Sequence, residues 1–142
     1  MSTTQTASVS IASLPPLGAE LEGGIFVGVT TKKDGTHFAV TLLPEQGEKL
    51  TWKKAMNWAA KQGGELPSRP VAALLFANVK SQLKPLWHWT SEEDNASYAW
   101  SCFFGYGFQY RDRNSYEGSA VAVRRSIPVP EAGAGLSRLP VH

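Results

Sequence analysis

The chain has 142 residues, with 14 Lys or Arg against 12 Asp or Glu, and its formal net charge of +2 is too small and too scattered to demand nucleic acid as a partner. One cysteine, Cys102, excludes an internal disulfide and a multi-cysteine zinc site. No stretch approaches the roughly eighteen apolar residues of a membrane helix, and the start lacks the basic and apolar regions of a secretory signal, so a soluble protein with no membrane insertion is expected.

The length suits one domain with its own core. Residues 1–19, Ser/Thr-rich at the start, are expected to be a flexible tail, 20–126 the folded domain, and 127–142 a Pro/Gly-rich tail. Ile25 to Thr31 is β-branched and reads as a strand, Asp34-Gly35 as a hairpin turn, and Thr36 to Leu43 as the returning strand. Alternation puts Phe38, Val40 and Leu42 on one face and His37, Ala39 and Thr41 on the other, which predicts a surface His37.

Thr51 caps a predicted helix that runs to Gln62, with Trp52, Ala55, Met56 and Ala59 at helical spacing and Gly63-Gly64 as the stop. Ser68 caps a second, with Pro70 in its first turn and Val71, Leu74, Leu75 and Val79 as the stripe. Short strands follow near 86–90, 97–104, 106–112 and 119–125, joined by an acidic loop at 91–96, a turn at Gly105-Tyr106-Gly107 and a polar loop at 114–118. A hairpin, two helices and then strands is an α+β order.

Gly63-Gly64-Glu65-Leu66-Pro67-Ser68-Arg69, Trp87-His88-Trp89-Thr90-Ser91-Glu92-Glu93, Ala99-Trp100, Phe103-Phe104-Gly105 and Val123-Arg124-Arg125 appear in that order. Together they resemble the bacterial and phage C-type-lectin-like domains grouped with the C-terminal domain of collagen-like adhesins, over about residues 50 to 125. The resemblance implies a C-type-lectin-like fold, two helices packed on small antiparallel β-sheets, with tryptophans and closing arginines as scaffold and a variable loop face. It also implies phage or prophage origin, in a host cytoplasm or a virion, and a link to the variable proteins of diversity-generating retroelements. Val121 stands where the closing word has its first arginine, and Gly64-Glu65 where Trp-Arg precedes Leu-Pro. The related formylglycine-generating enzymes need two cysteines, which a single Cys102 cannot supply.

Glu92, Glu93, Asp94 and Asn95 offer four oxygen ligands of the kind calcium takes, although adjacent residues cannot all point inward and the sugar-binding words of calcium lectins are missing. Tyr106, Phe108 and Tyr110 alternate with Gly107, Gln109 and Arg111, so one of the two sets is expected in the core. Tyr98, Gln109, Tyr110, Arg111, Arg113, Asn114, Tyr116 and Glu117 have the rigid-aromatic and adaptable-polar composition of a paratope. The basic cluster of Arg111, Arg113, Arg124 and Arg125 is equally met by carboxylate pairing, and no nucleophile, histidine and acid stand at a recognisable catalytic spacing.

The reading is therefore a non-enzymatic recognition module that binds a protein or cell-surface glycan through residues 91–97 and 106–118, with a homo-oligomer expected from its aromatic surface. The alternatives are a phage inhibitor of a host defence complex, a virion assembly protein, or a retroelement variable protein. No cofactor is called for beyond the calcium considered above.

Overall fold

The computed structural model describes residues 7–10 and 14–129. Among the described residues there are eight strands: β1 (Ala7–Ser10), β2 (Glu20–Leu21), β3 (Gly24–Thr31), β4 (His37–Leu50), β5 (Trp87–Glu93), β6 (Tyr98–Phe103), β7 (Phe108–Arg113) and β8 (Gly118–Val129). Between β4 and β5 lie α1 (Trp52–Lys61), α2 (Arg69–Val79) and a 3-10 turn at Lys80–Gln82. Seven strands run in the order β2-β3-β4-β8-β5-β6-β7, and β1 pairs with β8 off that path.

This overturns the expected C-type-lectin-like arrangement of two helices on small antiparallel sheets. The strands make one mixed sheet, because β8, twelve residues long, serves both halves of the chain. It pairs antiparallel with β4 and parallel with β1, and meets β5 in parallel at His88 and Ser119. β1 and the end of β8 lie within the two segments expected as tails; residues 1–6, 11–13 and 130–142 lie outside the described residues.

Local chemistry sets the helices as the sequence predicts. The Thr51 hydroxyl accepts from the Lys54 N–H and the Ser68 hydroxyl from the Val71 N–H, so each helix has one of its unpaired N-terminal donors satisfied. β3 and β4 form the predicted hairpin, with Gly35 at φ +89° closing a loop in which the Asp34 carboxylate accepts the Thr36 N–H. β4 continues past the expected stop at Pro44. A register shift between Leu42 and Gln46 leaves the exposed Pro44 outside the ladder, where its missing N–H costs nothing.

The helices cover opposite faces of the sheet. Along β8, Val121 and Val123 pack with Val71, Leu75 and Val79 of α2, whereas Ala120 and Ala122 pack with Ala55 and Ala59 of α1. The period of two in β8 thus feeds two cores. On the α1 side of β3 and β4, Leu14 and Leu21 cover Phe26 and Ala39. That cover buries Ala39 and Thr41 completely, so the expectation of a solvent face there is corrected, although His37 beyond it is exposed as predicted.

The quoted sequence words do scaffold work. The Gly64–Leu66 link crosses β8 closely enough for Glu65 and Val123 to exchange two backbone hydrogen bonds of 2.9 and 2.8 Å. Arg124 donates from Nε to the Gly63 carbonyl and from Nη1 to the Glu22 carbonyl, tying the end of α1 to the turn before β3. Arg125 pairs with Glu65 at 2.6 Å and lies over the Phe38 ring. Trp89 is fully buried, stands edge-on to Trp87 with centroids 4.9 Å apart, and donates to the Leu50 carbonyl; Trp52 donates to the Thr90 carbonyl.

Candidate functional site

Among the described residues β7 ends the sheet, so its side chains have a described neighbour strand on one side alone. Cross-strand partners share a face, and the pairs Trp100–Arg111 and Tyr98–Arg113 therefore lie on the α2 face, with Phe103–Phe108 and Ser101–Tyr110 on the α1 face. Neither face of β7 is core, which corrects the expectation that one set would be buried: Gln109 and Asp112 are half-buried and the other four residues exposed.

On the α2 face, Arg69 at the first turn of α2 organises a cluster. Its guanidinium carbon stands 3.5 Å from the centroid of the Trp100 ring, and its Nε donates to Gln109 Oε1 at 2.8 Å. The Gln109 amide in turn donates to the Arg69 carbonyl at 2.9 Å, and the Arg69 N–H donates to the Glu92 carboxylate at 2.8 Å. Arg111 approaches the same Trp100 ring at 5.7 Å and Asp94 at 3.7 Å, and Arg113 lies 5.3 Å from the Tyr98 ring. Cations held over indole and phenol rings are attracted by the ring quadrupole, so this face is pre-ordered and basic.

On the α1 face the aromatic side chains form a row. Ring centroids step from Phe103 to Tyr106 in 5.8 Å, to Phe108 in 6.0 Å and to Tyr110 in 6.1 Å. Tyr106, Phe108 and Tyr110 are 72, 54 and 53 % exposed. The row is bare because the α1 core takes in Trp87, Trp89 and Ala99, while Phe103 and the β7 residues lie outside it. Across the sheet Phe76 of α2 presses on the turn: a Cβ at Gly107, whose φ is +86°, would come within 2.7 Å of the Phe76 ring.

The residues expected to bind ligand are thus divided. Tyr98, Gln109, Arg111 and Arg113 share the α2 face, and Tyr110 belongs to the aromatic row on the other. Asn114 is a connector: its N–H and side-chain amide donate to the carbonyls of Ser97 and Ala96, and its carbonyl accepts from the Trp52 N–H. Tyr116 and Glu117 are exposed in the turn before β8. Sequence reasoning missed Arg69, forty residues from Gln109, and placed Phe108 and Tyr106 ambiguously; the run of alternating aromatics was the available signal.

The four acidic-loop residues are not brought together. Glu92 accepts from Arg69, Glu93 is exposed, and Asp94 faces Arg111. The Asn95 side-chain carbonyl accepts from the N–H groups of Ser97 and Tyr98, and so shapes its own turn. Among the described residues no three His, Cys, Asp or Glu side chains gather as a metal site would require.

A groove of about 320 Å³ opens on the α2 face beside this cluster, with Leu66, Val71 and Val123 among its walls and Lys32, Lys33 and Arg125 along its rim. Two titratable groups are sealed in the interior. His88 is 1 % exposed, packs at a tilt against Phe104 with ring centroids 4.7 Å apart and donates from Nδ1 to the Leu86 carbonyl, and burial lowers its pKa to about 4. Burial pushes the Cys102 thiol up to about 11, so it is a protonated core residue.

No helix among the described residues is long and apolar enough to cross a membrane. No protein-family profile matches the chain, and no curated protein matches it.

Proposed function

We propose that the protein is a non-catalytic recognition module that engages a protein partner through the corner formed by β6, the Phe104–Gly107 turn and β7. The observation that carries this reading is the row of neighbouring rings Phe103, Tyr106, Phe108 and Tyr110 at the end of the sheet, the last three of them exposed and Phe103 half-buried. Large aromatics held rigid by their neighbours lose little conformational freedom on binding, which is why such residues dominate interface energetics. Arg111 and Arg113, exposed on the opposite face of the same strand, add adaptable donors at its margin. A protein is favoured over a glycan because the row is a contiguous apolar surface along an open strand edge, a setting for apolar burial.

Serine at Tyr106, Phe108 and Tyr110 together tests the reading. All three are exposed, so the variant is expected to keep the wild-type circular dichroism and melting temperature. Capture of its partner from cell lysate is expected to weaken by more than about thirtyfold, the effect of losing one hot spot of about 2 kcal/mol. Undiminished capture by a folded triple variant would contradict the assignment, and binding to a glycan array in place of any captured protein would replace the protein partner by a sugar.

A further inference from the structure

The open edge of β7 carries an inference beyond the aromatic row, since it concerns the backbone and not the ring face. Among the described residues the main path of the sheet ends at β2 on one side and at β7 on the other, and the four-residue β1 lies off that path beside β8. β2 is two residues long, too short to be extended by another strand, whereas β7 has six residues. Its inner side is paired to β6 throughout, and among the described residues the outer N–H and C=O groups of Phe108 to Asp112 have no backbone partner. Such an edge templates a further strand unless charge or covering prevents it. In β7 the charges sit in one half only, Arg111-Asp112-Arg113, and Phe108-Gln109-Tyr110 is uncharged.

We propose that this edge pairs antiparallel with the same edge of a second copy of the chain, across a two-fold axis at Tyr110. The register follows from symmetry and charge. A two-fold that sets two edges antiparallel stands perpendicular to the sheet, so each face continues into itself and opposed residues have the same parity. Centring on Arg111 sets Arg111 against itself, centring on Asp112 sets Asp112 against itself and Arg111 against Arg113, and centring on Arg113 repeats the fault. Centring on Gln109 pairs only the three strand residues 108 to 110.

Centring on Tyr110 is the register that remains. It sets Tyr110 against Tyr110, Gln109 against Arg111 and Phe108 against Asp112, with no like charges opposed. The α1 face then carries two aromatic rows meeting at the axis, with Tyr106 and Phe108 of both copies still open. Two identical recognition rows on one continuous sheet make a bivalent surface.

The test uses the whole chain. Sedimentation velocity over a concentration series is expected to show a monomer–dimer equilibrium, and Tyr110→Arg, which puts like charges at the axis, is expected to sediment as monomer at every concentration. Tyr110→Cys places two thiols in directly opposed positions, whose Cα atoms stand about 4.5–5.5 Å apart, within disulfide reach. Under a mild oxidant it is expected to form covalent dimer about tenfold faster than Arg111→Cys, whose own copies lie on a diagonal of roughly 7–8 Å. Asp112→Cys, further still from its copy, is expected to be slower again, and the buried Cys102 does not compete. Wild-type protein that stays monomeric at all concentrations overturns the proposal. Cross-linking as fast at position 111 or 112 as at 110 overturns the register.

Discussion

Arg69 shows how much a single side chain can organise. Its guanidinium joins the start of α2 to β6 through Trp100 and to β7 through Gln109, and its backbone N–H reaches β5 through Glu92, so one planar cation holds two strands against the helix. Arg69→Ala is expected to destabilise the fold by about 1–3 kcal/mol, from a stacked cation and a charge-assisted hydrogen bond lost together. Lysine at this position would not restore it, because an ammonium cannot both stack flat on the indole and direct an N–H at Gln109. Urea unfolding of Arg69→Ala and Arg69→Lys checks this, and a lysine variant as stable as wild type would contradict it.

His88 makes the stability of the fold depend on pH. Its folded pKa of about 4 lies below the usual value of 6.5, so the unfolded chain binds the extra proton first as pH falls. The contribution is full above pH ~6.5 and is lost as pH drops toward ~4, by roughly 2–3 kcal/mol at pH ~4.5. His88→Asn has nothing to titrate there. Unfolding free energies at neutral and acid pH are expected to converge for wild type and variant as pH falls; equal slopes for both would show that His88 is not the group responsible.

At the scale of the element, the link between the helices is packed tightly onto β8. A Cβ on Gly64 would collide with the Val123 carbonyl and reach Leu43 Cδ1 at 3.0 Å, so Gly64→Ala must push the link off β8. A loss of about 2–4 kcal/mol is expected, comparable with overpacking a core. Gly35→Ala is the informative contrast: nothing lies within 4 Å of its Cβ, and its cost comes only from φ +89°, about 1 kcal/mol. Melting temperatures of the two variants give the comparison, and an equal loss would mean that the contact with β8 is not the cause.

Elements whose signals are local were legible in the sequence. Thr51 and Ser68 as caps, Pro70 in the first turn of α2, and the β3–β4 hairpin each depend on residues within a few positions of one another. What was illegible depends on distant pairing. That β8 lies beside β4, β5 and β1 follows from contacts that span from about thirty to more than a hundred positions, and no periodicity in a single strand encodes its neighbours. Alternation in β7 correctly separated Tyr106, Phe108 and Tyr110 from Gln109 and Arg111. It could not reveal that β7 is the last strand and that both sets face outward, and so it divided the expected binding residues between two surfaces.

For the whole molecule, α1 and the segment at residues 14–21 cover one face of the mixed sheet as far as Ala99 of β6, and α2 covers the other as far as Cys102 and the Gly107 turn, which leaves the β7 end outside both cores. Three surfaces meet there: the aromatic row on one face, the arginine cluster on the other, and the open edge between them. The groove rimmed by Lys32, Lys33 and Arg125 is a competing concavity, and it lies on the α2 side. Hydrogen–deuterium exchange of the chain alone and bound to its captured partner separates these surfaces most directly. Binding at the aromatic corner is expected to slow exchange in peptides covering residues 103–113 and to leave 30–33 and 65–71 unchanged. Protection confined to the groove peptides, with β7 exchanging as it does in the free chain, would contradict the assignment of the recognition surface.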